Sequence, residues 1–135
     1  MAGYSGTPLR RKLGVKDGHV LFLDGAPDGL GLDDLDGVRV VRRLPPKADV
    51  TLVFATGRAA LARRLPVLFE RTVVDGAVWV CWPKKAAQRA LGISSDLDDG
   101  IVRALGLELG FVDVKVAAVD EVWSGLKFVR RLRDR

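Results

Sequence analysis

The stretches Val50–Ala55 (VTLVFA) and Ala77–Trp82 (AVWVCW) decide how this chain folds. Neither alternates apolar and polar positions as a half-exposed strand does. Each is apolar on both faces, the pattern of a central strand in a parallel sheet. Between them, Thr56 is placed to cap a helix running to about Thr72, with Leu61, Leu65, Leu68 and Phe69 on one side. Pro66 lacks an N–H and crowds the carbonyl four residues earlier, which predicts a kink or break near Leu65. Asp75-Gly76 reads as a turn into the second stretch.

The flanking segments extend the same alternation. Thr7 followed by Pro8 is a helix start, with proline at the first helical position, and Gly14 supplies the stop. His19–Asp24 is a short buried strand entering the turn Gly25-Ala26-Pro27-Asp28-Gly29, and Val38–Arg42 is a weaker strand. Ser95 caps a further helix, with Asp98 in capping-box spacing, and Gly106 or Gly110 ends it. Phe111–Ala118, a turn at Asp120-Glu121 and Val122–Val129 form an antiparallel hairpin. Residues 43 to 49 reach at most about 23 Å, too short for a crossover helix. That connection is a bare extended loop, or the second strand pairs antiparallel. The expected fold is α/β: a single compact Rossmann-like three-layer sandwich over residues 1–135, its sheet mostly parallel with a C-terminal antiparallel hairpin.

Composition agrees with one globular domain: 135 residues, 48% hydrophobic and 29% charged. A lone cysteine, Cys81, allows no internal disulfide, and a lone histidine, His19, allows no His-rich metal site. No apolar run approaches the roughly 18 residues of a membrane span, and no leader-like core opens the chain, so a cytoplasmic protein without membrane contact is expected. The net charge of +5 is uneven, with six aspartates and no Lys or Arg from Asp17 to Asp36. Basic groups cluster elsewhere, but without a recognisable reader motif nucleic acid is not the expected partner.

In open parallel sheets, ligands bind outside the carboxyl ends of the strands. Those ends make Gly25, Thr56, Arg58, Trp82, Lys84 and Lys85 the candidate ligand-binding residues, an aromatic surface and cations suited to an anion. The competing reading of Trp82-Pro83-Lys84-Lys85 is a core tryptophan followed by a solvated lysine pair. Catalytic groups are not evident. Ser124 lacks a His or Asp partner, His19 has no adjacent carboxylate, and Cys81 lies in an apolar strand where a thiol is inert. The aspartates of 24–36 miss the spacing of a calcium loop, so no metal is expected. Tyr4-Ser5-Gly6 is either a lid over the site or a frayed end.

The order of elements resembles class I S-adenosylmethionine-dependent methyltransferases. Leu13–Pro27 is similar to their first strand and nucleotide loop. Residues 48–54 (ADVTLVF), the helix after them and Val74–Pro83 are similar to their fourth strand, helix and fifth strand, and the hairpin to their last two strands. The resemblance implies a glycine-rich cofactor loop, but Ala26-Pro27 stand inside this one. It also implies an acidic ribose ligand after the second strand, where this chain has Arg42 and Arg43. The first helix, between Asp24 and Gly37, would be reduced to a turn or two. A closer resemblance is to an uncharacterised bacterial family of unknown function, numbered three-zero-five-two. It is carried by Tyr4-Ser5-Gly6-Thr7-Pro8-Leu9, Trp82-Pro83-Lys84-Lys85 and Asp120-Glu121-Val122-Trp123-Ser124-Gly125-Leu126. It implies the same fold and no particular activity. The expected function is therefore a non-catalytic or catalytically unassigned module binding an anionic small molecule or a protein partner, with no cofactor. The alternatives are a divergent methyltransferase and a nucleic-acid accessory protein.

Overall fold

The computed structural model describes residues 8–135, so the expectations for Tyr4-Ser5-Gly6 and the Thr7 cap lie outside the described residues. The elements follow as α1 (Leu9–Leu13), β1 (Val20–Asp24), β2 (Arg39–Val41), β3 (Ala48–Phe54), α2 (Arg58–Glu70), β4 (Thr72–Pro83), α3 (Lys85–Leu91), α4 (Asp99–Glu108), β5 (Phe111–Ala118) and β6 (Trp123–Arg130). The strands form one sheet in the order β2-β1-β3-β4-β6-β5. β1 to β4 run parallel, while β6 is antiparallel to both β4 and β5. β3 and β4, the two stretches apolar on both faces, lie inside the sheet.

The sheet divides the core in two. On one face Phe22, Val53, Val78, Val80 and Leu126 meet Leu61, Leu65, Leu68 and Phe69 of α2 and Val102 and Leu105 of α4. Each such aliphatic or aromatic side chain contributes roughly 1.5–3 kcal/mol when fully buried. On the other face Leu21, Leu23, Leu52, Trp79 and Cys81 are covered by Leu13 of α1 and by Leu30, Leu32, Leu35 and Val38. The Trp79 indole N–H donates to the Leu13 carbonyl at 3.1 Å, which ties α1 to the sheet. Gly125 makes room for that ring: a Cβ there would stand 3.0 Å from it.

Some local alternatives are decided and some expectations change. β2 is parallel to β1, so residues 43–49 contain a bare loop and not an antiparallel return. Leu44 of that loop packs on the core, as does Val41 at the end of β2. No helix stands between β1 and β2. The segment spends its leucines covering the sheet directly. Pro8 caps α1 from an extended conformation (φ −57°, ψ 144°) and is not its first residue. Gly14 ends α1 in the left-handed region, as expected. Asp75-Gly76 is a bulge within β4, since the register slips between Ala48–Thr72 and Val50–Ala77. Gly76 is required there, because a Cβ would stand 2.7 Å from the Asp49 carbonyl oxygen. Of the kink or break expected near Leu65, the break is not found: α2 continues through Pro66 to Glu70. Pro66 is exposed, so the carbonyl it leaves without a donor faces water.

Candidate functional site

Asp24 is the last residue of β1. Strand alternation puts it with Phe22 on the face covered by α2. There its carboxylate receives both arms of Arg64, Nε to Oδ2 at 2.8 Å and Nη2 to Oδ1 at 3.1 Å. The hydrogen bond to Asp24 raises the Arg64 guanidinium above its ordinary value, against the opposing effect of desolvation. The pair is partly exposed, 38% for Arg64 and 20% for Asp24, so it fixes geometry more than it stabilises the fold. It forms one wall of a cavity of about 360 Å³, whose other polar edges are Gly25, Thr56 and Gly57, with Ala60 at the mouth.

The position of this cavity follows from topology. From β1 the chain moves outward to β2 on one side, then returns to lay β3 on the other. The strand order therefore reverses between β1 and β3, and the cavity opens at their carboxyl ends. That reversal is where an open α/β sheet leaves a crevice, because successive connections depart in opposite directions. Gly25 adopts φ +70°, and a Cβ there would lie 3.4 Å from the Phe54 carbonyl oxygen. The left-handed φ calls for glycine here, while a Cβ would meet that oxygen only at ordinary contact distance. Ala26 packs against the core on the opposite face from α2, and neither it nor Pro27 lines the cavity.

The amino end of α2 is already supplied with an anion. Gly57, not Thr56, is the cap residue and offers no side chain. Instead Asp96 reaches across: its Oδ1 accepts from Arg58 N at 2.8 Å. Ser95 Oγ donates to the Thr56 carbonyl at 2.8 Å, and Asp96 N donates to the same oxygen at 3.2 Å. Ser95 is consequently not the cap of α4. That role belongs to Asp98, whose Oδ1 accepts from Ile101 N at 2.8 Å.

Of the six residues the sequence selects, the structure brings Gly25 and Thr56 together on the cavity. Arg58 lies one residue beyond its lining, with its N–H held by Asp96. Trp82 is 7% exposed and belongs to the α2-side core. Lys84 turns toward the other side of β4, where its Nζ donates to the Asp120 carbonyl at 2.7 Å and its N–H to that of Val122 at 2.8 Å. Lys85 is exposed at the start of α3. Asp24, Gly57, Ala60 and Arg64 complete the cavity and were not selected. Arg64 carried a signal, since it adjoins the buried stripe at Leu61 and Leu65.

Elsewhere, Trp123 packs edge-on to Phe54 with centroids 5.1 Å apart. Burial pushes the Cys81 thiol well above its ordinary range, with the charge of Asp120 adding to the effect. His19 Nδ1 accepts from Lys16 N at 3.1 Å. Among the described residues there is no cluster of His, Cys, Asp and Glu able to hold a metal, and no helix long and apolar enough to cross a membrane.

The sheet order and the antiparallel β6 match the methyltransferase-like Rossmann fold, and solved structures share it. A magnesium protoporphyrin IX methyltransferase from Synechocystis PCC 6803 with SAH bound superposes with a TM-score of 0.63 at 10% identity, covering 90% of this chain and 78% of that one. The pyocyanin biosynthetic protein PhzM gives 0.61 at 13% identity, over 92% of this chain and 54% of that one. A precorrin-6y C5,15-methyltransferase from Geobacter metallireducens GS-15 gives 0.55 at 13% identity, over 91% and 86%. No family model and no curated protein matches the chain.

Proposed function

We propose that this chain is a truncated, divergent methyltransferase-like domain that binds S-adenosylmethionine or its demethylated product in the cavity between the ends of β1 and β3. The observation that carries this reading is the coincidence of the cavity with the point where strand order reverses. The wall suits an adenosyl ligand in three respects. Gly25 lets backbone come close, Asp24 offers carboxylate oxygens to hydroxyl or ammonium donors, and Arg64 offers a guanidinium to a carboxylate. When bound, S-adenosylmethionine supplies an electrophilic methyl group on a sulfonium. Asp24 and Arg64 would orient the ligand, and α2 would close one side against water.

A second reading keeps the fold and changes the ligand. Arg42 and Arg43 are exposed after β2, where a ribose-binding carboxylate would be needed. They favour a non-catalytic module for an anionic small molecule or a protein partner. Calorimetry separates the two. One-site binding of S-adenosylmethionine or S-adenosylhomocysteine, lost in Ala60→Trp, which fills the cavity mouth, is the expected result. Ala60 is exposed, so that variant should fold. Absence of saturable heat with either compound, alongside binding of a phosphorylated one that Ala60→Trp abolishes, would transfer the proposal to the second reading.

A further inference from the structure

The opposite edge of the sheet holds a separate cavity of about 250 Å³. It lies below the amino ends of β1, β3 and β4, where the α1–β1 connection and the end of β6 come together. Its charged lining is divided. Lys16 and Lys127 stand on the side of α1 and β6, while Asp49 and Asp75 stand on the side of β3 and the β4 bulge. Asp49 spends Oδ2 on the Val20 N–H at 2.7 Å, and Asp75 is exposed.

Lys127 is the unusual member. Its side chain leaves β6 opposite Trp79 and runs in beside Gly14, and a Cβ at Gly14 would lie 3.6 Å from its Nζ. The Leu13 carbonyl at the end of α1 accepts from the Trp79 indole. Lys115 is its cross-strand neighbour, and no carboxylate pairs with it among the described residues. A half-buried ammonium near two more lysines and without an ion-pair contact is a position at which an anion would be favourable.

We propose that this lower cavity binds the phosphoryl group of a small molecule through Lys127 and Lys16, with Asp49 and Asp75 receiving hydroxyl or amino donors from the rest of that molecule. Desolvation, then the charges of Lys115 and Lys16, hold the Lys127 ammonium below its ordinary value. With its folded value depressed, the unfolded chain binds the proton more readily between the two values, so this group alone makes stability rise with pH there. A bound phosphate would favour the charged form and weaken that rise. His19 also lines the cavity, with its Nδ1 engaged by Lys16 N.

Inorganic phosphate and phosphoethanolamine are the probes, titrated at constant ionic strength, with melting temperature and amide chemical shifts read together. The expected result is a saturable rise in melting temperature with shifts at Gly14, Lys16 and Lys127. Phosphoethanolamine should bind at least several-fold more tightly because its amine meets Asp49 or Asp75. Lys127→Gln should abolish the saturable response. Lys16→Gln, on an exposed turn, should weaken it at least several-fold and serves if the first variant fails to fold. No saturable response, or one that survives both substitutions, overturns the proposal. Equal affinity for the two probes overturns the role of the aspartates.

Discussion

Gly106 sits inside α4 against the ring of Phe128, so close that a Cβ would fall within that ring's van der Waals envelope. The sequence offers Gly106 or Gly110 as the helix stop, and it is Gly110, left-handed at φ 86°, that follows the end of α4. The actual use of Gly106 is contact between α4 and β6, a role that composition cannot distinguish from a terminus because both need only the missing side chain. Gly106→Ala should therefore destabilise the fold by about 1–3 kcal/mol, the usual cost of overpacking. The gain in helix propensity offsets at most about 1 kcal/mol of that. Urea unfolding at constant slope measures it, and a neutral or stabilising result would mean that the ring moves freely. Asp24 and Arg64 were hidden for a related reason. Both are ordinary charged residues until two elements 40 positions apart are brought together.

At the scale of elements, periodicity carried most of the reading. β3, β4, β5 and the buried side of α2 were legible, because two-sided apolar runs and helical spacing leave few alternatives. What escaped depends on contacts from elsewhere in the chain. Asp96 caps α2 from 38 residues away, which no local pattern announces. α3 escaped although Ala86-Ala87-Gln88-Arg89-Ala90-Leu91 is a strong helix former and Gly92 a left-handed stop (φ 67°). Pro66 gives the test at this scale. It stays inside α2 only because the buried side made by Leu61, Leu65, Leu68 and Phe69 holds the helix together. Pro66→Ala should restore a backbone hydrogen bond and stabilise by about 2 kcal/mol. Helix propensity favours alanine by about 3 kcal/mol, less roughly 0.4–1 for the lost stiffness of the unfolded chain. A loss of stability on thermal unfolding would show that the proline ring is itself packed.

For the whole molecule, the α/β class was available from the alternation of strands and helices, and with it the expectation of a site at the carboxyl ends of the strands. The choice among three strand ends was not. Strand order is a non-local property, and only it separates the crevice between β1 and β3 from the closed end of β4, where Lys84 bonds to the β5–β6 turn. The account therefore rests on Gly25, Thr56 and Gly57 and not on the lysine pair. An amide chemical-shift map of the protein titrated with S-adenosylhomocysteine tests that most directly. Saturable changes concentrated at Gly25, Thr56 and Gly57, with Lys84, Lys85 and the lower cavity at Gly14 and Lys127 unmoved, are the predicted result. No change at millimolar ligand, or changes centred on Lys84 and Lys85, would contradict it.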